Sequence, residues 1–409
     1  MSKWQQVKLG DIASNIQTGP FGSQLHQSDY SEIGTPVVMP KDLVDGKISE
    51  QSIARVEASH VKRLAKHKIQ NGDILYSRRG DVGRCAYAGK EESGWLCGTG
   101  CLRVTIDESH AFPKFIFYQL QTSQSVGWVE KHAVGSTMLN LNTSILSNVP
   151  VSLPPLEVQR KIADVLSAYD DLIENNRKQI KLLEEAAQRL YKEWFIDLRF
   201  PGHENTPEVD GLPDGWMKRC AIDFFNITIG KTPPRAENQC FTNGNSGIPW
   251  VSISDMGNCS IYISDTSEGL TPDAINKYNV KIIPVGTILL SFKLTLGRVS
   301  ITTTPCCTNE AIAHFYIENE DLRPYTFLYL KSFEYDTLGN TSSISKAVNS
   351  SIIKAMPFIM PNANLVADFA KYTKPIFEKI CCLQKSISEA KNARDYLLSK
   401  LMSGELEVE

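Results

Sequence analysis

The chain has 409 residues, which at about 100 to 200 residues per domain predicts two or three domains. Its 42% hydrophobic and 22% charged residues are typical of globular proteins and exclude a disordered chain, a collagen-like repeat or an all-helical rod. A net charge of −3 excludes a protein that is coated with positive charge.

The N-terminus begins MSKWQQ and lacks the apolar core of a signal peptide. The sequence also contains no run of about 18 apolar residues, the length that a membrane span requires. We therefore expect a cytoplasmic protein with no membrane partner.

The first 152 residues predict a mixed α+β globule, because short β-rich runs alternate with turn dipeptides. The predicted strands are residues 35–39, 73–77 and 101–106, the predicted turns are Asp45-Gly46, Asn71-Gly72 and Gly80-Asp81, and a short helix is predicted over 115–121.

A local excess of positive charge lies between residues 54 and 90. Nine cations against three acids leave an excess of six charges over this stretch. The cations are Arg55, Lys62, Arg63, Lys66, Lys68, Arg78, Arg79, Arg84 and Lys90. Two interpretations remain open, a stripe that binds phosphates or a solvated surface with scattered salt bridges.

Residues 153–198 predict a long central helix, which begins after the prolines of LPPL. Between residues 162 and 195 apolar residues recur at alternating steps of three and four, which is the pattern of a coiled-coil seam. The seam residues are Leu166, Tyr169, Ile173, Asn176, Ile180, Leu183, Ala187, Leu190 and Trp194.

A second globule is predicted over residues 199–360, and a second long helix over residues 361–409. The seam of that helix consists of Phe369, Tyr372, Ile376, Ile380, Leu383, Ile387, Ala390, Arg394, Leu397 and Leu401. Two seams in one chain predict an antiparallel pair, although each helix could instead be buried on its own globule. Asn176 and Arg394 interrupt the seams, either to fix their register or because they reach solvent.

The two halves repeat each other. Trp4 and Trp216 open the halves, Pro36 corresponds to Pro249, and NGDILYS at 71–77 resembles VGTILLS at 285–291. These and later pairs, which include Asn142 with Asn349, lie 207 to 214 residues apart. A period this long excludes a solenoid, whose units have about 20 to 50 residues, and predicts a duplicated domain-plus-helix unit.

The sequence lacks the motifs that would indicate catalysis or a metal site. Gly230-Lys231-Thr232 ends like a phosphate-binding loop, but Phe225 stands where that loop requires a glycine. The Pro-Pro dipeptides lack the flanking residues of an amino-methyltransferase site. The ten cysteines include no Cys-x-x-Cys, so we predict reduced, mostly buried thiols and no metal site. An enzyme with an unrecognised site remains an alternative.

Three segments carry a resemblance to a known family, the DNA-specificity subunits of type I restriction-modification systems. They are LPPLEVQRKIA at 153–163, LLSKLMSGEL at 397–406 and NGDIL at 71–75. The order of globule, helix, globule and helix also resembles that family over essentially the whole chain. The second copy departs at residues 361–364, PNAN, which leaves open where its helix begins.

The resemblance implies an α+β fold with two similar target-recognition globules, separated by two long helices that form an antiparallel coiled coil with pseudo-two-fold symmetry. Each globule would read one half of a bipartite, asymmetric site in double-stranded DNA. The chain would be non-catalytic and would dock two methylation subunits and two restriction and translocation subunits. It would need no cofactor itself, and those partners would use S-adenosylmethionine, ATP and Mg. A scaffold or adaptor that binds proteins is the competing interpretation.

Candidate DNA-binding residues follow from the rule that polar side chains read base edges, while cations and backbone amides on loops hold phosphates. In the first half they are Gln17, Thr18, Gly19, Phe21, Ser23, Gln24, Lys41, Arg78, Arg79, Ser136 and Thr137. In the second half they are Lys231, Thr232, Arg235, Lys293, Ser342, Ser343, Ser345 and Lys346. The predicted spacer contacts involve Ile173, Asn176, Ile180, Leu183, Ile380, Leu383, Ile387 and Leu397.

Overall fold

The structure, a computed structural model, describes residues 4–135, 138–338 and 348–408. It divides into two compact units. The first unit comprises residues 1–172 and 390–409, and the second comprises residues 173–389. Each unit therefore includes a part of both long helices. The sequence analysis had instead assigned each helix to a segment of its own, 153–198 and 361–409. In the described part of the chain no helix is both long enough and apolar enough to cross a membrane.

A four-stranded antiparallel sheet forms the centre of the first unit. Its strands lie in the order Ala13–Thr18, Cys101–Ile106, Ile74–Ser77 and Cys85–Tyr87. Successive side chains of a strand face opposite sides of the sheet. Here both sides are covered, because Ile74 and Tyr76 lie in one apolar core and Leu75 lies in another. Burial on both faces explains why this strand is apolar without alternation.

A smaller mixed sheet and short helices complete the first unit. The strands of the smaller sheet lie in the order Leu96–Cys97, Thr35–Val38, Ala54–Val56 and Tyr30–Ser31. Two further strand pairs are Gln5–Lys8 with Pro150–Leu153 and Leu43–Val44 with Lys47–Ile48. The helices are Leu9–Ile12, Ala58–Arg63, Pro113–Leu120, Ser123–His132 and Thr143–Ser147, with 3-10 turns at Gln27–Asp29, Pro40–Asp42 and Ala65–His67. The turn predicted at Asp45-Gly46 is confirmed, since both residues have positive φ angles, of 50° and 76°, as a type I′ hairpin requires.

The second unit repeats the strand order of both sheets and adds one strand to the main sheet. Its main sheet has the order Asn226–Ile229, Ile312–Tyr316, Ile288–Ser291 and Val299–Thr302, followed by a fifth strand, Tyr262–Ile263. Its smaller sheet has the order Cys307–Thr308, Ile248–Val251, Glu268–Leu270 and Phe241–Asn243. Met217–Cys220 pairs with Pro357–Met360, and Glu208–Val209 pairs with Leu212–Pro213. The helices are Ile253–Asn258, Pro272–Tyr278, Leu322–Ser332 and Ser350–Lys354. Shared topology confirms the predicted duplication and the α+β class.

Residues that match between the halves have the same structural roles. Asp42 accepts a hydrogen bond from the Met39 amide at 2.8 Å, and Asp255 accepts one from the Ser252 amide at 2.9 Å. Asn142 and Asn349 are both N-caps, whose side-chain oxygens accept backbone N–H groups at 2.8 and 3.0 Å. The repeated sequence positions therefore include the caps that fix where turns and helices begin.

The central helix, Leu156–Tyr191, and the C-terminal helix, Ala363–Met402, pair within each unit. In the first unit Ile162 shares an apolar core with Leu401, and Arg394 Nη1 donates to Asp170 Oδ1 at 2.7 Å. In the second unit Ile180 and Leu183 pack in one core with Ile380, Leu383 and Ile387. In both units early residues of one helix meet late residues of the other, so the helices run antiparallel.

Neither polar interruption of the seams points freely into solvent. Asn176 is only 4% exposed, and its Nδ2 donates to Ser386 Oγ at 3.1 Å. Arg394 is largely covered and pairs with Asp170 and Asp395. A buried polar contact between paired helices disfavours any shift of their register. Ile173 is also buried, and Leu397 packs at the edge of the first core.

The central helix begins at Leu156, directly after the prolines of LPPL, and it continues into a π-helical turn over Lys192–Ile196. Tyr372, predicted in the seam, contacts Trp194 of the central helix edge-on at 6.0 Å but is still 61% exposed. Thr373 and Phe377 are buried instead, because Phe377 packs edge-on against Phe327 of the globule at 5.5 Å and draws the buried face of the helix towards it. Both open alternatives therefore hold in the second unit: the helices pack on each other and on the globule.

Candidate nucleic-acid interface

Three loops of the first unit meet at one end of the main sheet. Thr18 pairs with Leu102, and Cys101 pairs with Ser77, so the loops that follow Thr18 and Ser77 lie beside the loop that precedes Cys101. Together they form an open cleft of about 440 Å³, which we call the first cleft. Its lining residues are Phe21, Gly22, Pro40, Arg78, Arg79, Thr99 and Gly100.

The two arginines give the first cleft its charge. The Arg78 guanidinium lies over the Phe21 ring at 5.7 Å, and its buried Nε has no hydrogen-bond partner among the described residues. Arg79 is exposed. Their backbone is held firmly, because Leu141 donates its N–H to Arg78 O at 2.8 Å and Gly80 donates to Leu139 O at 3.1 Å. The cleft therefore carries two cations on a fixed backbone, which suits an anion such as phosphate.

Several nominated residues of the first half have structural partners. Gln17 Nε2 donates to Lys66 O at 2.6 Å, and Gln24 Oε1 accepts from the Phe21 amide at 3.3 Å. Lys41 Nζ donates to Ser52 O at 2.9 Å. Thr18 is half-buried in its strand, whereas Ser23 is exposed. Gln17 thus ties its strand to the segment around Lys66, whereas Gln24 organises its own loop.

Close packing requires a glycine at position 19. It is buried, and a side chain there would place Cβ 1.9 Å from the carbonyl oxygen of Gly98. Its counterpart Gly230 would clash with Thr308 and Asn309 in the same way, at 2.0 and 2.1 Å. Gly22 has no heavy atom within 4 Å of such a Cβ, so it alone of these glycines leaves room beside the first cleft.

The positive stripe at residues 54–90 divides into two groups. Arg55, Arg63 and Arg84 lie in ion pairs with Glu50, Asp29 and Asp81. The remaining six have no acidic partner within the described residues, and five of them are exposed. The exposed unpaired cations are Lys62, Lys66, Lys68, Arg79 and Lys90. The stripe therefore combines salt bridges with free cations, and both earlier interpretations hold for part of it.

The corresponding end of the second unit is less basic. Lys231 and Lys293 are exposed, and Thr232 hydrogen-bonds to Glu310. That hydrogen bond, with help from Lys293 and Arg235, lowers the pKa of the Glu310 carboxyl below its ordinary value. A carboxylate on this edge can accept a hydrogen bond from cytosine N4, which is a contact that phosphate-binding cations cannot make.

Arg235 is a structural anchor in this structure. Its Nη1 donates to both oxygens of Glu268, at 2.8 and 2.9 Å. Its guanidinium also lies over the rings of Phe241 and Trp250, at 4.3 and 4.6 Å. These contacts use the donors and the flat face through which arginine would bind a nucleic acid.

The remaining nominated residues lie outside the described part of the chain. They are Ser136, Thr137, Ser342, Ser343, Ser345 and Lys346. Sequence reasoning missed Thr99, Gly100 and Glu310, which follow the strands Leu96–Cys97 and Cys307–Thr308. Aligning the two halves by their repeat would have placed Thr99 opposite Glu310, since these residues are 211 positions apart.

Comparisons with known proteins agree with this architecture. A family model described as the type I restriction modification DNA specificity domain matches residues 1–185 and 213–390. The HindI specificity subunit of Haemophilus influenzae is 25% identical, and the match covers 99% of this chain and 100% of that relative. The MjaIX specificity subunit of Methanocaldococcus jannaschii is 29% identical, with 99% of this chain and 94% of the relative covered.

A solved structure shares the fold. The type I restriction-modification S subunit from M. genitalium has 17% sequence identity and a TM-score of 0.60, covering 97% of this chain and 96% of that chain. The two matched segments of the family model make up most of the chain and coincide with the two repeated halves. The chain therefore belongs to the type I restriction-modification DNA specificity family.

Proposed function

We propose that this chain is the DNA-reading subunit of a type I restriction-modification complex, and that each unit reads one half of a bipartite, asymmetric site. The observation that carries the proposal is the first cleft, where Arg78 and Arg79 stand at the loop end of the main sheet. The matching edge of the second unit presents Lys293 on the same fold. Because the two units share a fold but carry different residues at the loop end of the main sheet, they would bind two different half-sites.

The long helices would separate the two readers and receive the other subunits. Their exposed faces are charged, and their seams are occupied by each other within both units. We propose two methylation subunits and two restriction and translocation subunits as partners in the cytoplasm. S-adenosylmethionine, ATP and Mg would be used by those partners, and this chain would contribute recognition and positioning without chemistry of its own.

The decisive test replaces both arginines of the first cleft. Neutralising a phosphate contact lowers the slope of log Kd against log salt by about 0.9, so Arg78→Ala with Arg79→Ala should lower it by up to about 1.8. Affinity at low salt should fall at least about tenfold, since hydrogen bonds to charged groups contribute roughly 1.5 kcal/mol or more each. Binding of the full-length chain to duplex DNA over a series of salt concentrations measures both quantities.

A matched control removes two exposed cations elsewhere. Lys178→Ala with Arg189→Ala makes the same change in net charge on the central helix, where both residues form only ion pairs within the helix. Its salt slope should equal that of the unmodified chain. An unchanged affinity and slope in the first-cleft variant would contradict the proposal and favour a protein-binding scaffold.

A further inference from the structure

Leu294 stands fully exposed at the tip of a loop of the second unit that is hydrogen-bonded at both ends. The loop joins the strands Ile288–Ser291 and Val299–Thr302, and the accessibility of Leu294 is 101% of that of a free residue. The flanking backbone is fixed, because Phe292 donates to Ala311 O at 2.9 Å and Gly297 donates to Ser291 O at 3.0 Å. The leucine is therefore held out on a rigid support.

The fold itself gains nothing from a leucine at this position. Leu294 has a φ angle of 61°, a left-handed conformation that is unfavourable for a residue with a Cβ atom. The matching residue of the first unit, 214 positions earlier, is Gly80, whose φ of 75° carries no such penalty. A residue that is both strained and exposed to water is better explained by binding than by stability.

The surroundings of Leu294 indicate which partner it meets. Lys293 and Thr295 beside it are exposed, Phe292 is buried, and Leu296 is half-buried. Leu294 is thus the only fully exposed apolar side chain of the loop, too small a surface for a protein partner. An isolated apolar tip next to a cation suits a DNA groove, where the cation holds a phosphate and the apolar group meets the C5-methyl of thymine.

We propose that Leu294 is a specificity-determining residue that contacts a thymine methyl group in the major groove of the half-site read by the second unit. This inference rests on the proposed function of the chain as a DNA reader. In the first unit the exposed apolar group beside the cations is Phe21, which belongs to a different loop. The two units would therefore place their apolar contact at different points of their half-sites.

The test pairs a protein change with a DNA change. The full-length chain, assembled with its methylation subunits, is compared with its Leu294→Gly variant on duplexes in which each thymine of that half-site is replaced by uracil in turn. One replacement should weaken binding of the unmodified chain roughly fourfold, the equivalent of one buried methyl or methylene group. The same replacement should leave binding of Leu294→Gly unchanged.

Two further measurements keep the outcomes distinct. Leu294→Gly should unfold at a denaturant midpoint no lower than that of the unmodified chain, because glycine adopts the left-handed conformation freely. Ile222→Ala, which removes an exposed apolar side chain from the turn Ala221–Asp223 of the second unit, should respond to every uracil as the unmodified chain does. If no uracil replacement distinguishes Leu294→Gly from the unmodified chain, the assignment of Leu294 is wrong. If the unmodified chain shows no preference for its site over a scrambled duplex, the proposed function itself fails.

Discussion

Arg103 in the first unit and His314 in the second occupy matching positions on the second strand of the main sheet, 211 residues apart. Arg103 lies between Gln17 and Leu75, and His314 lies between Thr228 and Leu289, in the same register. Both side chains are buried, yet one is a guanidinium and the other is an imidazole whose pKa burial lowers to about 4. The two units therefore share the register of these strands but differ in the buried polar residue that the middle strand carries.

The partners of these two residues have changed together with them. Arg103 faces the carboxylate of Asp73 at 3.7 Å, and Thr105 donates to the same carboxylate at 2.5 Å. His314 hydrogen-bonds to Thr228 at 2.9 Å and to Thr308 at 2.7 Å. The threonines satisfy His314, whereas Arg103 donates Nη1 to Lys68 O and leaves its Nε without a hydrogen-bond partner among the described residues. The two units can therefore diverge in chemistry within one fold, as readers of different half-sites must.

The largest loss of stability is expected from breaking the buried pair of Arg103 and Asp73 in the first unit. Asp73→Asn leaves the Arg103 guanidinium buried opposite a neutral amide, which should cost about 3 to 5 kcal/mol of the free energy of unfolding. Native-state hydrogen exchange of the amides in Ile74–Ser77 and Cys101–Ile106 measures the loss where it occurs.

A control for this change lies in the second unit, where Thr287 is the residue that matches Asp73. Thr287→Val removes a buried hydroxyl without stranding a charge, so its cost should be about 1 kcal/mol and confined to the second unit. Equal losses from Asp73→Asn and Thr287→Val would show that the Arg103 centre is not charged as described.

The neutral centre of the second unit predicts a response to acid. Burial lowers the pKa of His314 from 6.5 to about 4. Below pH 6.5 the unfolded chain binds a proton at this residue while the folded unit does not, so the free energy of unfolding falls as pH is lowered from about 6.5 to about 4. The contribution of His314 over this window is about 3 kcal/mol.

The comparison with His314→Gln isolates this residue from other titrating groups. Glutamine retains polar contacts with Thr228 and Thr308 but does not titrate. The unfolding free energy of the second unit should therefore fall less steeply with acid in His314→Gln than in the unmodified chain. Parallel pH profiles of the two proteins would refute the neutral, buried state of His314.

The smallest change in binding is expected from lengthening both long helices where the two units divide them. Seven residues inserted after Leu172 and seven before Ala390 preserve the heptad faces and lengthen each helix by about 10.5 Å. This corresponds to up to about three base pairs at 3.4 Å each. The gap in the DNA site should widen by that amount or less, because the half-sites must also stay in phase with the DNA helix.

Both half-site sequences should stay the same in the lengthened chain. The positions of methylated adenines in DNA treated with the assembled complex report the gap directly. A folded variant that still modifies only the original spacing would show that the helices do not set the gap.

Sequence reasoning predicted the parts of the fold that depend on repetition and period. The duplication was visible because caps such as Asp42 and Asp255 must recur where turns begin, and the seams were visible because heptad spacing depends only on helix geometry. Tyr372 does contact the seam residue Trp194, but the heptad pattern could not show that Phe377 would also be buried, against Phe327 from elsewhere in the chain.

The candidate interface was less accessible to sequence reasoning. Arg78 and Arg79 were found as cations on a loop, and the structure brings them to one cleft with Phe21. Gln17 and Arg235 could not be recognised as structural, since their partners Lys66 and Glu268 are 49 and 33 residues away. Leu294 could not be identified from the sequence, because only its left-handed φ angle, which it shares with Gly80, sets it apart from other exposed leucines.

The central claim, that two diverged copies of one fold read two different half-sites, is tested most directly by mapping methylated adenines in DNA modified by the complete complex. The account predicts a single motif with two unlike specific parts, separated by a gap of fixed length. The Arg78→Ala and Arg79→Ala variant should weaken methylation at all such sites without changing their spacing. A continuous or palindromic motif, or methylation without sequence preference, would contradict it.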